Sequence, residues 1–137
     1  MNKPLNLIRP ASLLLAALLL VSWLAPNAGA AEQSLQISLN TTPDPPRSGN
    51  NAAEVTVLDA AGTPISNATV EVRFYMPAMP SMNMPEMAAN FPMVSAGNGR
   101  YKGNGKLVMG GTWEVTVTVS RDGKRVGRKK FTVNAKP

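Results

Sequence analysis

The chain has 137 residues, a formal net charge of +6, and neither cysteine nor histidine. That composition excludes a disulfide framework, a zinc or blue-copper centre built on thiolate and imidazole, and catalysis by a histidine base or cysteine nucleophile. Hydrophobic residues make up 44% of the chain, so a fold of this size must rest on a packed apolar core.

The first thirty residues read as a signal peptide. Lys3 and Arg9, with no acid near them, precede the apolar run Ala11 to Leu24, and Ala28-Gly29-Ala30 fits an A-x-A cleavage site before Ala31. The run is shorter than the roughly 18 residues of a spanning helix. The alternative is an uncleaved inner-membrane anchor formed by residues 11–24. No cysteine follows the run, so no lipid can be attached there. Either way, residues 31–137 are expected as one exported domain, periplasmic or secreted.

Past residue 30 helical periodicity is missing, and short β-rich runs alternate with turn clusters. Ser34 to Leu39 places Leu35, Ile37 and Leu39 on one face, before the proline-rich break TTPDPPRSGNN. Ala53 to Asp59 alternates Ala53, Val55 and Val57 with Glu54 and Thr56. Thr69 to Met76 sends Val70, Val72, Phe74 and Met76 to one side and Thr69, Glu71, Arg73 and Tyr75 to the other. Weaker strands are predicted around Phe91 to Val94 and Gly99 to Leu107, where the glycines of GNGRYKGNG read as turns. Thr112 to Val119 is the clearest strand, with Trp113, Val115, Val117 and Val119 inward. Asp122-Gly123 predicts a tight hairpin turn, and Phe131 and Val133 face inward on the returning strand. About seven strands in this length predict an all-β, immunoglobulin-like antiparallel sandwich. Trp113 reads as a core residue.

Seven Lys and Arg residues lie between Arg121 and Lys136. Such an excess suits nucleic acid, anionic lipid or an acidic partner. Export argues against nucleic acid, and a solvated basic edge that discourages aggregation, with Lys129 and Lys130 on it, is the plainer reading.

The chemistry-bearing segment is the Met/Pro-rich stretch from Met76 to Met93, expected as a loop. Pro77, Pro80 and Pro85 exclude a helix and central sheet pairing, leaving an extended, polyproline-like or looped backbone. Met76, Met79, Met82, Met84 and Met87 fall within twelve residues. A thioether is soft, uncharged and needs no deprotonation, so it suits Cu(I) or Ag(I) and offers little to Zn²⁺, Ca²⁺ or Mg²⁺. Residues three apart in polyproline II are about 9 Å apart along the axis. A metal site therefore requires the loop to curl, for instance around SMNM, with Met93 or Met109 closing it from a neighbouring strand. Glu86 is a poor match in softness. The competing reading makes the methionines pliable filler or a hydrophobic contact surface, with Met76 belonging to the core.

No G-x-S-x-G elbow or phosphate-binding loop opening a helix is present, and an enzyme is not expected. Asn40-Thr41-Thr42 and Asn67-Ala68-Thr69 match the glycosylation pattern, a triplet that arises easily by chance.

The strand running into MPAMPSMNMP, followed by GRYKG and LVMGGTWEVTVTV, resembles the YtkA-like domain family and its FixH-like relatives over about residues 50–133. The resemblance implies a small exported or membrane-anchored immunoglobulin-like domain. It further implies a role beside heavy-metal efflux systems or copper-oxidase assembly, with an envelope or inner-membrane protein as partner. It marks Met76, Pro77, Met79, Met82, Met84 and Pro85, then Tyr101, Leu107, Met109, Gly111 and Trp113. Many relatives carry histidine near the loop. This chain does not, which leaves only a thioether site. The leading expectation is an accessory domain binding Cu(I) or Ag(I) through Met79, Met82, Met84 and Met87, with Met76, Met93 and Met109 as further candidates. The alternative is an interaction module using the same loop as an apolar surface.

Overall fold

Alternating burial organises seven strands in a computed structural model that describes residues 34–137. The expected signal peptide, residues 1–30, and its apolar run 11–24 lie outside the described residues. The strands are β1 (Gln36–Thr42), β2 (Gly49–Leu58), β3 (Thr69–Met76), β4 (Met87–Gly97), β5 (Arg100–Leu107), β6 (Gly111–Arg121) and β7 (Lys124–Ala135). Ala53, Val55 and Val57 of β2, Val70, Val72, Phe74 and Met76 of β3, and Trp113, Val115, Val117 and Val119 of β6 are all buried. The period-two patterns thus point their apolar faces inward as the sequence predicts.

All neighbours are antiparallel, in the order β1-β2-β5-β4-β3-β6-β7. Divided into β1-β2-β5-β4 and β3-β6-β7, this is the constant-type immunoglobulin arrangement of two packed sheets. β4 belongs to both. Its residues Met87 to Pro92 pair with β3, and Met93 to Gly97 pair with β5. Pro92 sits at the switch, where a strand changing partners forgoes a ladder bond that proline could not make anyway.

This crossing explains glycines that read as turns in the sequence. Gly103 and Gly105 lie inside β5. A Cβ on Gly103 would come within 2.1 Å of the Pro92 carbonyl oxygen and 2.6 Å of the Met93 sulfur. A Cβ on Gly105 would sit 2.3 Å from the Phe91 ring. Both positions lack side chains so that β4 can pass and Phe91 can stack on Phe74, with centroids 4.5 Å apart.

The seam between β1 and β7 is nearly closed. Ser48 N–H donates to the Lys136 carbonyl at 2.7 Å, and Lys136 N–H donates to the Pro46 carbonyl at 2.8 Å. Farther along, Leu35 covers Gly127, and the Lys129 ammonium donates to the Ile37 carbonyl at 3.0 Å. Lys129, expected to be simply solvated, spans the gap between the sheets. The Asp122-Gly123 turn forms as expected, with φ of 51° and 74°. In the core, the Tyr101 hydroxyl donates to the Ile65 carbonyl at 2.7 Å and accepts from Ala68 N–H at 3.2 Å. One buried phenol thus anchors the β2–β3 connection. Among the described residues no helix is long and apolar enough to cross a membrane.

Candidate functional site

The methionine segment leaves β3 at Met76 and re-enters a strand at Met87. The connection is therefore Pro77 to Glu86, shorter than the 76–93 stretch expected as loop, because Met87 to Met93 extend β4 down from Phe91. Nor is it polyproline-like. Pro80 to Met82 form a single 3-10 turn with proline at its start, where the missing N–H is harmless. Asn83 follows in the left-handed region at φ 53°, a conformation asparagine tolerates better than most residues.

The consequence is a curl that brings two methionines face to face. Met79 N–H donates to the Met84 carbonyl at 2.9 Å, and Met84 N–H donates to the Met79 carbonyl at 3.1 Å. A pair exchanging both bonds has Cα atoms about 5.5 Å apart and side chains on the same side of the ladder. Three residues back on each arm, Met76 and Met87 are also direct partners. The segment is one hairpin in one register, with a methionine pair at each of two rungs. A regular strand would send rungs three residues apart to opposite faces. Met79 and Met87 nevertheless both pack against the core, so the arms rotate between the rungs, where Pro77 and Pro85 interrupt the ladder.

A polar latch holds the arms together on the outer side. The Tyr75 hydroxyl donates to Glu86 Oε2 at 2.8 Å. That bond, followed by desolvation and the carboxylate charge, raises the phenol pKa above its ordinary 10.0, so the donor stays protonated at neutral pH.

The seven candidate methionines separate by position. Met79 and Met84, half-buried, form the outer rung, and Met82 sits at the tip, 64% exposed. Met76 is buried, with its methyl against Gly111, and Met87 opposite it is half-buried. Met109 reaches the same end of the sandwich, two residues before β6, and its carbonyl accepts the Trp113 indole N–H at 3.2 Å. Met93 is not brought to this group. It lies six residues farther along β4, about 20 Å at the usual strand rise, with its sulfur over Gly103. The Tyr75–Glu86 latch was not foreseen from the sequence. For the hairpin itself a usable signal was present, because Met76 and Met87, and Met79 and Met84, are placed symmetrically about the centre of MPAMPSMNMPEM, with Met82 the one methionine off the symmetry.

Among the described residues no three acidic side chains gather as a metal cluster. The methionines gathered at this end of the sandwich are Met76, Met79, Met82, Met84, Met87 and Met109.

The YtkA-like family model matches residues 29–118. The chain belongs to the YtkA-like family. The match takes in β1 to β5, the whole methionine hairpin and most of β6, and stops before β7. No curated protein and no solved structure matches the chain.

Proposed function

We propose that this is an exported accessory domain that binds a soft monovalent ion, Cu(I) or Ag(I), through its methionine hairpin and passes it to or from an envelope protein in copper handling, efflux or oxidase assembly. The observation that carries this reading is the Met79–Met84 rung, two thioethers set opposite each other by a pair of backbone hydrogen bonds. Met82 at the tip is the third donor, able to reach in or swing away because nothing buries it. Met87 and Met76 form a second, deeper rung and are better suited to supporting the first than to exchanging ions. A neutral sulfur set favours a soft cation and leaves hard divalent ions in water. A partly exposed site of few donors suits transfer rather than storage.

The test is a titration with Cu(I) or Ag(I) under a competing chelator. The wild-type protein is compared with a variant carrying leucine at Met79, Met82, Met84 and Met87. Leucine keeps the apolar bulk and removes the sulfur. Retention of metal by wild type alone supports the reading, and equal behaviour of the two proteins overturns it.

A second reading has its own support. Met82 and Val108, 64% and 65% exposed, are large apolar side chains on loops at the same end of the sandwich, as in an interaction module that presents a hydrophobic tip. In that case the leucine variant would keep its partner and the wild type would bind no metal.

A further inference from the structure

Away from the hairpin, the outer face of β3, β6 and β7 carries a shallow groove of about 700 Å³. Its middle is one row of side chains in register across four strands. Asn90 pairs with Arg73, Arg73 with Thr116, and Thr116 with Lys130. Every member of that row can donate a hydrogen bond, and the row contains no acid. The half-buried Thr116 lies between two exposed cations whose Cα atoms are about 10 Å apart, two strand spacings.

The neighbouring rows are mixed. Glu71 faces Arg128 across Thr118 on one side, and Glu114 stands beside Tyr75 on the other. Among the described residues, Glu71, Glu114, Arg128 and Lys130 form no ion pair, whereas on the other sheet Glu54 pairs with Arg100 and Lys102. Arg73 lies over the Tyr75 ring at 5.6 Å, which leaves its guanidinium edge available.

We propose that this groove seats a single carboxylate of an extended segment from a partner protein, held between Arg73 and Lys130 with the Thr116 hydroxyl beneath it. The pattern selects the occupant. A central row of donors attracts one negative charge, while Glu71 and Glu114 on either side repel a second and a third. A polyanion or an anionic membrane surface, which offers continuous negative charge, fits this alternation badly. The groove also adjoins the methionine hairpin, because Tyr75 lines the one and latches Glu86 of the other. The assignment does not depend on metal binding, and its test is run without metal.

The probes are two blocked pentapeptides, one with a central glutamate between glycines and one with glutamine in its place. Each is titrated to millimolar concentration into isotope-labelled protein while backbone amide resonances are followed by NMR. The glutamate peptide is expected to shift the amides of Arg73, Thr116 and Lys130, and the glutamine peptide to leave them in place. The variants Arg73→Gln and Lys130→Gln, both on exposed strand positions, are each expected to weaken the interaction by about threefold, the size of one exposed charge contact. Absent shifts, equal shifts from both peptides, or shifts confined to other faces would overturn the proposal. So would markedly tighter binding of short polyglutamate, since it would show that the flanking acids do not discriminate.

Discussion

Met79 and Met84 exchange both backbone hydrogen bonds, at 2.9 and 3.1 Å, and so form a closed rung beyond the last ladder pair of β3 and β4. Two thioethers that the chain order separates by Pro80, Ser81, Met82 and Asn83 are set on one side of a hairpin. Since a site of two paired donors and one exposed third donor loses most of its hold when either member of the pair goes, Met79→Leu and Met84→Leu should each lower Ag(I) affinity by at least about tenfold. Met93→Leu should leave it unchanged. Chelator competition on the three single variants checks this, and an effect at Met93 equal to that at Met79 would show that the rung is not the site.

Turn geometry should matter as much as sulfur. Asn83 is held at φ 53°, where a β-branched residue is strongly disfavoured. Asn83→Val should therefore spoil the rung and weaken Ag(I) binding while changing thermal stability little, because the tip buries nothing. Asn83→Gly should retain binding. Calorimetry with and without Ag(I) separates the two effects.

Binding to thioethers involves no proton, so Ag(I) affinity should be flat across mildly acidic to neutral pH. Alkaline pH acts through Tyr75. Its pKa is raised in the folded state, chiefly by the hydrogen bond to Glu86. The folded protein therefore holds this proton more tightly than the unfolded chain. The latch contributes fully below the unfolded phenol pKa, near 10, and is lost as pH rises through the folded value. The stability difference between wild type and Tyr75→Phe, followed by denaturant titration, should shrink across that alkaline window and stay constant between neutral pH and its start.

The β4 crossing makes a prediction about small residues. Gly103→Ala places a methyl 2.1 Å from the Pro92 carbonyl oxygen, a backbone atom that cannot step aside, and should destabilise by about 3 kcal/mol or more, the upper end of overpacking. Gly105→Ala meets the Phe91 ring at 2.3 Å. Its cost should be partly relieved in the double variant with Phe91→Leu, giving a coupling of about 1 kcal/mol or more in denaturant unfolding.

Tyr101→Phe should destabilise by about 1–3 kcal/mol, because the Ile65 carbonyl and the Ala68 N–H both lose their buried partner. Hydrogen exchange at Ala68 should accelerate in the variant while amides of β6 keep their protection.

Period-two alternation was legible in Val70 to Met76 and in Trp113 to Val119 because each strand has one buried and one wet face, and that pattern is local. The Asp122-Gly123 turn was legible for the same reason, since positive φ is a property of the residues themselves. Gly103 and Gly105 were misread as turns because their purpose, the passage of Pro92 and Phe91 over β5, lies in another strand. Lys129 likewise looked like a solvated edge charge until the fold brought the Ile37 carbonyl within its reach.

By itself the sequence determined the all-β class and the inward faces, and its lack of histidine and cysteine left thioethers as the soft side chains the chain has to offer. Tertiary structure alone decided which methionines pair across the hairpin. The hairpin register pairs Met79 with Met84 and Met76 with Met87, while the change of partner at Pro92 carries Met93 away. Pairing depends on the hydrogen-bond register between two arms, and composition carries no information about register.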